Sequence, residues 1–262
     1  MKKHLKLKDP RGKKHGRDTP LICAPLVGRT RDRVLAEAGS IIGQKPDLIE
    51  WRIDYFSAID DTAVVIETAR ALRSLTGGMP VIFTRRSALE GGERIAISEA
   101  QVIELYETMS ASRLIDYVDY EMGNDPQNVA RVRDFTRAHN VGLILSYHNN
   151  SYTPGLEYLV TRFLEAERLG ADVAKVAAMP RDRMDVLTLM VATAQADDKT
   201  KIPLISMSTG PLGSVSRMLG GLFGSVLSFA VGESASAPGQ IPIGDLVAIY
   251  DVIRRSRGGE MF

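Results

Sequence analysis

The chain has 262 residues, 44% hydrophobic and 25% charged, with a formal net charge of +1. That is the balance of an ordinary soluble globular protein, with room for one large domain or two small ones. No unbroken apolar run reaches membrane-spanning length, and the single cysteine, Cys23, excludes an internal disulfide framework and fits a reducing cytoplasm.

Residues 1–17 hold six lysines, two arginines and one aspartate, a net +7 that leaves about −6 on the rest of the chain. A nucleic-acid binder usually spreads basic charge over a folded face; here only the arm is basic, so no nucleic-acid partner is expected. The arm also lacks the apolar core of an export signal. A solvated tail, or a short strand pair built around "LKLK", is its expected form. The first strand-like run is "LICAPLVG" (21–28), followed by a helix-start signal at Thr30. "DLIEWRID" (47–54) comes next, with Asp61 as the following helix start, then "PVIFTRR" (80–86) with a capping-box pattern at Ser98 and Gln101. "LIDYVDYEM" (114–122) and "GLILSYHN" (142–149) follow, the second leading into an amphipathic helix marked by Leu156, Leu159, Val160, Phe163 and Leu164. "DVAKVAAM" (172–179), "PLISMSTG" (203–210) and "SVLSFAVGE" (225–233) complete the strands, and Leu246, Ile249, Tyr250 and Ile253 mark a closing helix.

Eight strands alternating with eight helices over about 250 residues predict an α/β fold, a single (β/α)8 TIM barrel. An open doubly wound sheet would show a glycine-rich phosphate loop after its first strand, and no G-x-G-x-x-G or Walker pattern occurs. No linker divides the chain, so the expected organisation is an arm over 1–20 and a barrel over 21–262.

A barrel strand turns alternate residues inward and outward. In "DLIEWRID" the apolar face of Ile49, Trp51 and Ile53 must meet the helices, which sends Glu50 and Arg52 inward. By the same alternation Thr84 pairs with Arg86, Asp119 with Glu121, and Ser146 with His148. Most of these polar residues fall in the C-terminal half of their strand, the end at which barrel enzymes carry their chemistry. Taken singly they have plain readings: a Glu–Arg pair two apart is often an ordinary ion pair, and a lone histidine is more often a satisfied core residue.

Lys175 stands out because its neighbours Val173, Ala174, Val176 and Ala177 are small and apolar, and lysine is almost never buried unless paired. A free lysine amine, with pKa ~10.4, is almost wholly ammonium at neutral pH. Burial and nearby arginines disfavour the charged form, so Lys175 is expected to serve as an amine nucleophile on a carbonyl. The protonated imine so formed is a strong electron sink, and a base such as His148 could then remove a proton from the adjacent carbon. No H-e-x-x-H or C-x-x-C motif suggests a metal, and two of the four histidines lie in the arm.

With these residues assembled, the chain resembles the type I 3-dehydroquinate dehydratases. The resemblance is carried, in order, by "LIEWRID", "FTRRSALEGGE", "SYHN" followed by "TP", "ADVAKVAAMP", "ISM", "SRMLGGLFGS" and "SAPGQ". It implies a barrel whose floor is closed by an N-terminal β-hairpin, no metal or cofactor, a cytoplasmic homodimer, and dehydration of 3-dehydroquinate to 3-dehydroshikimate in the shikimate pathway. It further implies that Lys175 forms the imine, His148 is the general acid and base, and Glu90 orients that histidine. Arg217 is implied as the ligand of the substrate carboxylate, Glu50, Arg52 and Arg86 as residues around the ring hydroxyls, and Met207 as packing on the ring. Ser236 and Gln240 are implied in a covering loop, to which the Gly91–Gly92 and Pro238–Gly239 segments suit by their turn chemistry. The chain departs from the family in its longer basic arm and in the "STGPLGSVSR" spacing before Arg217.

Two other readings stay open on the residues alone. A class I aldolase also uses a barrel lysine, but the pairing of His148 with Glu90 and the arginines for an acid favour elimination. A phosphorylated substrate would also call for a phosphate loop after strands seven and eight. A polyanion-binding protein would use the arm, with salt-sensitive binding, and would leave Lys175 without a reason.

Overall fold

The computed structural model describes residues 19–256; the arm, and the expected hairpin within it, lie outside the described residues. Eight strands alternate with eight helices. They are β1 (Leu21–Leu26), β2 (Leu48–Arg52), β3 (Val81–Thr84), β4 (Tyr117–Glu121), β5 (Gly142–Asn149), β6 (Val173–Ala178), β7 (Leu204–Ser208) and β8 (Leu227–Phe229). The helices are α1 (Arg31–Ile42), α2 (Thr62–Leu75), α3 (Glu99–Ser112), α4 (Pro126–Ala138), α5 (Leu156–Arg168), α6 (Arg183–Lys199), α7 (Ser214–Leu219) and α8 (Ile243–Ser256). All pairings are parallel, in the order β7-β6-β5-β4-β3-β2-β1-β8. The ring closes where Ser225 bridges Leu204 and Val226 N–H donates to the Leu204 carbonyl at 2.8 Å. The expected (β/α)8 barrel is the fold.

The predicted helix starts form for the reasons given by their side chains. Thr30 accepts from Arg33 N–H, Asp61 from Ala63 and Val64 N–H, and Ser98 with Gln101 closes a capping box. Each satisfies amides that the first helical turn leaves unpaired.

The core has two layers, and strand alternation divides them. Ile49, Trp51, Phe83, Val118, Leu143, Ala174 and Val176 face outward and pack with helical residues such as Val34, Leu72, Tyr106, Val132 and Phe163. Inside the barrel, Leu21, Leu48, Ile82, Tyr117, Ile144, Val173, Ile205 and Leu227 form an apolar plug near the N-terminal ends of the strands. The next inward positions along four neighbouring strands are polar: Glu50, Thr84, Asp119 and Ser146, with Lys175 beside them on β6. An oily floor therefore carries a charged ceiling. Phe163 is fully buried in the outer layer, and Phe163→Ala is expected to cost about 3–5 kcal/mol in a denaturant unfolding midpoint. A loss below about 1 kcal/mol would contradict the packing of α5 on the sheet.

Most strands end sooner than their apolar runs suggest. The run 47–54 leaves the sheet after Arg52, where Ile53–Tyr55 turns into a short 3-10 helix. This turn keeps Ile53 in the outer core while bringing Asp54 back onto Arg52, whose Nε and Nη2 donate to its two oxygens at 2.8 and 2.7 Å. β8 holds only three residues because the chain leaves the barrel after Ala230, whose N–H donates to the Cys23 carbonyl.

Candidate active site

A cleft opens at the C-terminal ends of the strands. Its wall includes all ten residues singled out from the sequence: Glu50, Arg52, Arg86, Glu90, His148, Lys175, Met207, Arg217, Ser236 and Gln240. They come from β2, β5, β6 and β7, the segments after β3 and β8, and the α7 helix.

Lys175 is 3% exposed and points into the barrel. Its Nζ lies 2.7 Å from Asp119 Oδ2, 3.3 Å from Glu50 Oε1 and 4.4 Å from the centre of the Phe229 ring. This corrects one expectation. The charged groups in contact with Nζ are carboxylates, not arginines, so the resting amine is held in an ion pair. The reason lies in the ring of strands: the inward positions of β2 and β4 converge on β6 across the barrel, a juxtaposition that spacing along one strand does not reveal.

Arg86 is the hub of the surrounding network. It donates to Asp119 at 2.7 Å, to Ser146 Oγ at 2.9 Å, to Glu121 at 3.1 Å and to Glu90 at 3.4 Å. Burial opposes its charge, but the carboxylates outweigh burial and raise its pKa further. Burial likewise acts against ionised Asp119, yet Arg86 and Lys175 beside it hold its carboxyl well below the usual range.

His148 Nδ1 lies 2.8 Å from Glu90 Oε2, and the same oxygen accepts the His148 backbone N–H at 3.1 Å. Burial, with Arg86 and Lys175 nearby, pushes the imidazole well below its ordinary pKa and keeps it neutral. Burial pushes Glu90 up to about 8 against the pull of Arg86. A proton shared on the Nδ1–Oε2 line leaves Nε2 for chemistry when it sits on Nδ1. Glu90 is placed by a short 3-10 turn, Ala88–Glu90, capped by Ser87. Gly92 just beyond it is obligatory on space, since a Cβ there would stand 2.0 Å from the Arg86 carbonyl oxygen.

The two other arginines differ in charge balance. Arg52 is neutralised by Asp54. Arg217 is 2% exposed, and among the described residues its guanidinium meets only neutral acceptors: the Phe229 carbonyl at 3.2 Å, the Pro238 carbonyl at 3.5 Å and Met207 Sδ at 3.6 Å. Its Nε has no partner among the described residues, and burial lowers its pKa to about 10. A buried cation with a spare donor is suited to an anionic ligand. The loop over it is tied by Ser236 N–H to Gln240 Oε1 at 2.9 Å and by Gly210 N–H to the Pro238 carbonyl at 3.1 Å. Gly239 has φ +75 and would press a Cβ to 2.0 Å from the Gly210 carbonyl oxygen, so this closure needs glycine on two counts.

Among the residues at the site to which the sequence assigns no role are Asp119, Phe229 and Asn150. Asp119 shows its inward face by alternation but nothing in the sequence gives it a function. Phe229 was visible only as an apolar strand residue, and period-two alternation from Leu227 would have turned it inward. Asn150, which also walls the cleft, follows the end of β5 and gave no periodic signal.

The profile of the family described as Type I 3-dehydroquinase matches residues 22–257. The chain belongs to that family. A 3-dehydroquinate dehydratase of Albidiferax ferrireducens is 53% identical over 243 residues, covering 93% of this chain and 92% of its own. The crystal structure of 3-dehydroquinate dehydratase from Geobacillus kaustophilus superposes with a TM-score of 0.89 at 46% identity, covering 90% of this chain and 91% of the other. The type I enzyme from Clostridium difficile, crystallised with covalent modified comenic acid, gives 0.88 at 35% identity, covering 92% and 95%. Among the described residues no helix is long and apolar enough to cross a membrane, and no cluster of His, Cys, Asp or Glu could hold a metal ion.

Proposed function

We propose that the protein dehydrates 3-dehydroquinate to 3-dehydroshikimate, a step of the shikimate pathway, through an imine on Lys175. The observation that carries this reading is a buried amine in one cleft with a neutral imidazole and an arginine that has no carboxylate partner among the described residues. The substrate carboxylate binds Arg217, which places the ring over Met207 with its hydroxyls toward Glu50, Arg52 and Arg86. The Lys175 ammonium passes a proton to the carbonyl oxygen and the freed Nζ attacks C3; a second proton from nitrogen then lets that oxygen leave as water, which gives a protonated imine. His148 takes the C2 proton as the C–H electron pair moves toward nitrogen. The same proton then goes to the C1 hydroxyl, which departs as water while the electron pair returns to form the conjugated iminium. Hydrolysis releases product and the amine. Glu90 holds the imidazole in register and steadies it when charged, and the loop carrying Ser236 and Gln240 keeps bulk water from the imine. The family's implied homodimer belongs to this reading too, and sedimentation of the purified protein tests it.

Borohydride tests the imine. Incubation with 3-dehydroquinate and borohydride is expected to add the reduced ligand's mass to one peptide, with the modification on Lys175. Turnover with no added mass would refute covalent catalysis. The pH profile carries a second test. Only neutral imidazole can accept the C2 proton, and its pKa lies below the ordinary value. The acid limb of kcat/KM should therefore fall below about 6.5, with little loss between pH 7 and that point. A limb above it would contradict His148 as the base.

A further inference from the structure

We propose that Asp119 is the fixed counterion of the Lys175 iminium, a role that rests on the imine reading above. Asp119 is wholly buried and lies behind the cleft wall. One of its oxygens sits 2.7 Å from Nζ; the other accepts from Arg86 at 2.7 Å and from Ser146 Oγ at 2.6 Å. Three donors fix the carboxylate, so it cannot swing away when Nζ changes state.

The charge balance of the reaction suits such a fixed partner. An ammonium and a ketone give a protonated imine and one water: the N–C bond forms, the C–O bond breaks, and two of the three ammonium protons leave with the oxygen. Nitrogen is positive before and after, so the same carboxylate serves both states without moving. In the enamine the positive charge passes to His148, and it returns to nitrogen when the C1 hydroxyl leaves. Asp119 thus favours each iminium against the neutral amine or enamine.

The other groups around the pair do not take this role. Glu50 is farther, at 3.3 Å, and the same oxygen accepts from the Thr84 hydroxyl. From β1, Cys23 is held as a thiol by burial. Arg52, Arg86, His148 and Arg217 are cationic or neutral, β7 offers Ile205 and Met207, and Glu121 on β4 is engaged by Arg86. Phe229 presents its ring face to Nζ from β8, a weaker attraction of the same sign. Because its cationic neighbours keep Asp119 ionised, it is a charge and not a proton acceptor.

The test is the pH profile of borohydride trapping on Lys175 with 3-dehydroshikimate. In Asp119→Asn the alkaline limb is expected to move toward acid by about one pH unit or more, with kcat down about 100-fold. Asp119→Glu keeps the charge and should leave the limb near its original position. A merely structural residue would lower trapping equally at every pH. A limb unmoved in Asp119→Asn, or moved equally in Asp119→Glu, overturns the counterion. For variants that do not fold, the unaltered protein supplies the measurement: the C=N stretch of its product imine should shift in D2O, as a protonated imine requires. No shift overturns the proposal. An unaltered protein that traps nothing at any pH removes the imine and the counterion together, whereas an adduct with an unmoved limb removes the counterion alone.

Discussion

Lys175→Ala is expected to lower kcat by about 10⁴-fold or more, because it deletes the nucleophile on which the covalent route depends. Two effects would be mixed in that number. The amine is lost, and Asp119 and Glu50 lose a cation that stands 2.7 and 3.3 Å away. Removing one partner of a buried ion pair costs about 3–5 kcal/mol of stability, enough to unfold part of a marginal population. Arg86 limits this penalty, since it still holds Asp119 at 2.7 Å. The comparison that separates the effects is calorimetric binding of 3-dehydroquinate to the variant. Arg217, Arg52 and Met207 remain in place, so the ligand should still bind while turnover and borohydride labelling both vanish. A variant that folds, binds and turns over within tenfold of the original would end the assignment of Lys175.

Much of this site was legible because alternation along a strand is a local property. Glu50 and Arg52 declare an inward face by Trp51 between them, Ser146 and His148 by the apolar run that leads into them, and Thr84 and Arg86, with Arg85 between, only by their parity with Ile82. The apolar floor under them follows from the same period, since Leu48, Ile82 and Ile144 occupy the preceding inward positions. What stayed hidden depends on pairing across the ring. Lys175 meets Asp119 over 56 residues of separation and Glu50 over 125, and no spacing in one chain reports such contacts. Hence Lys175 was expected among arginines and is found between carboxylates. Asp54 was hidden for another reason. It shares the inward parity of Arg52, but a 3-10 turn, not a strand, brings it back to neutralise that arginine. Helix signals fared well where a side chain caps its own turn, as at Thr30, Asp61 and Ser98, because that physics is local too.

His148→Ala is expected to lower kcat by about 10²–10⁴-fold, the usual worth of a positioned acid–base group, and to leave imine formation intact. Attack by Nζ and loss of water need no imidazole, whereas removal of the C2 proton does. The variant should therefore still gain mass with borohydride when given substrate or product, and the adduct should persist where the original protein turns it over. Glu90 is the one neighbour that could act in its place. It lies against the histidine, and burial raises it to about 8, high enough for a weak base. Its Oε2, however, already faces His148 Nδ1 at 2.8 Å and the backbone N–H at 3.1 Å, which directs its lone pairs at the histidine and not at the substrate. Glu90→Gln keeps the shape and a hydrogen-bonding partner for Nδ1, so its loss should be smaller than that of His148→Ala. If Glu90→Gln proved the more damaging of the two, the carboxylate would be the base and the imidazole its escort. If His148→Ala folded and yet formed no adduct, the imidazole would be needed for imine formation as well, and the division of labour between the amine and the histidine would have to be redrawn.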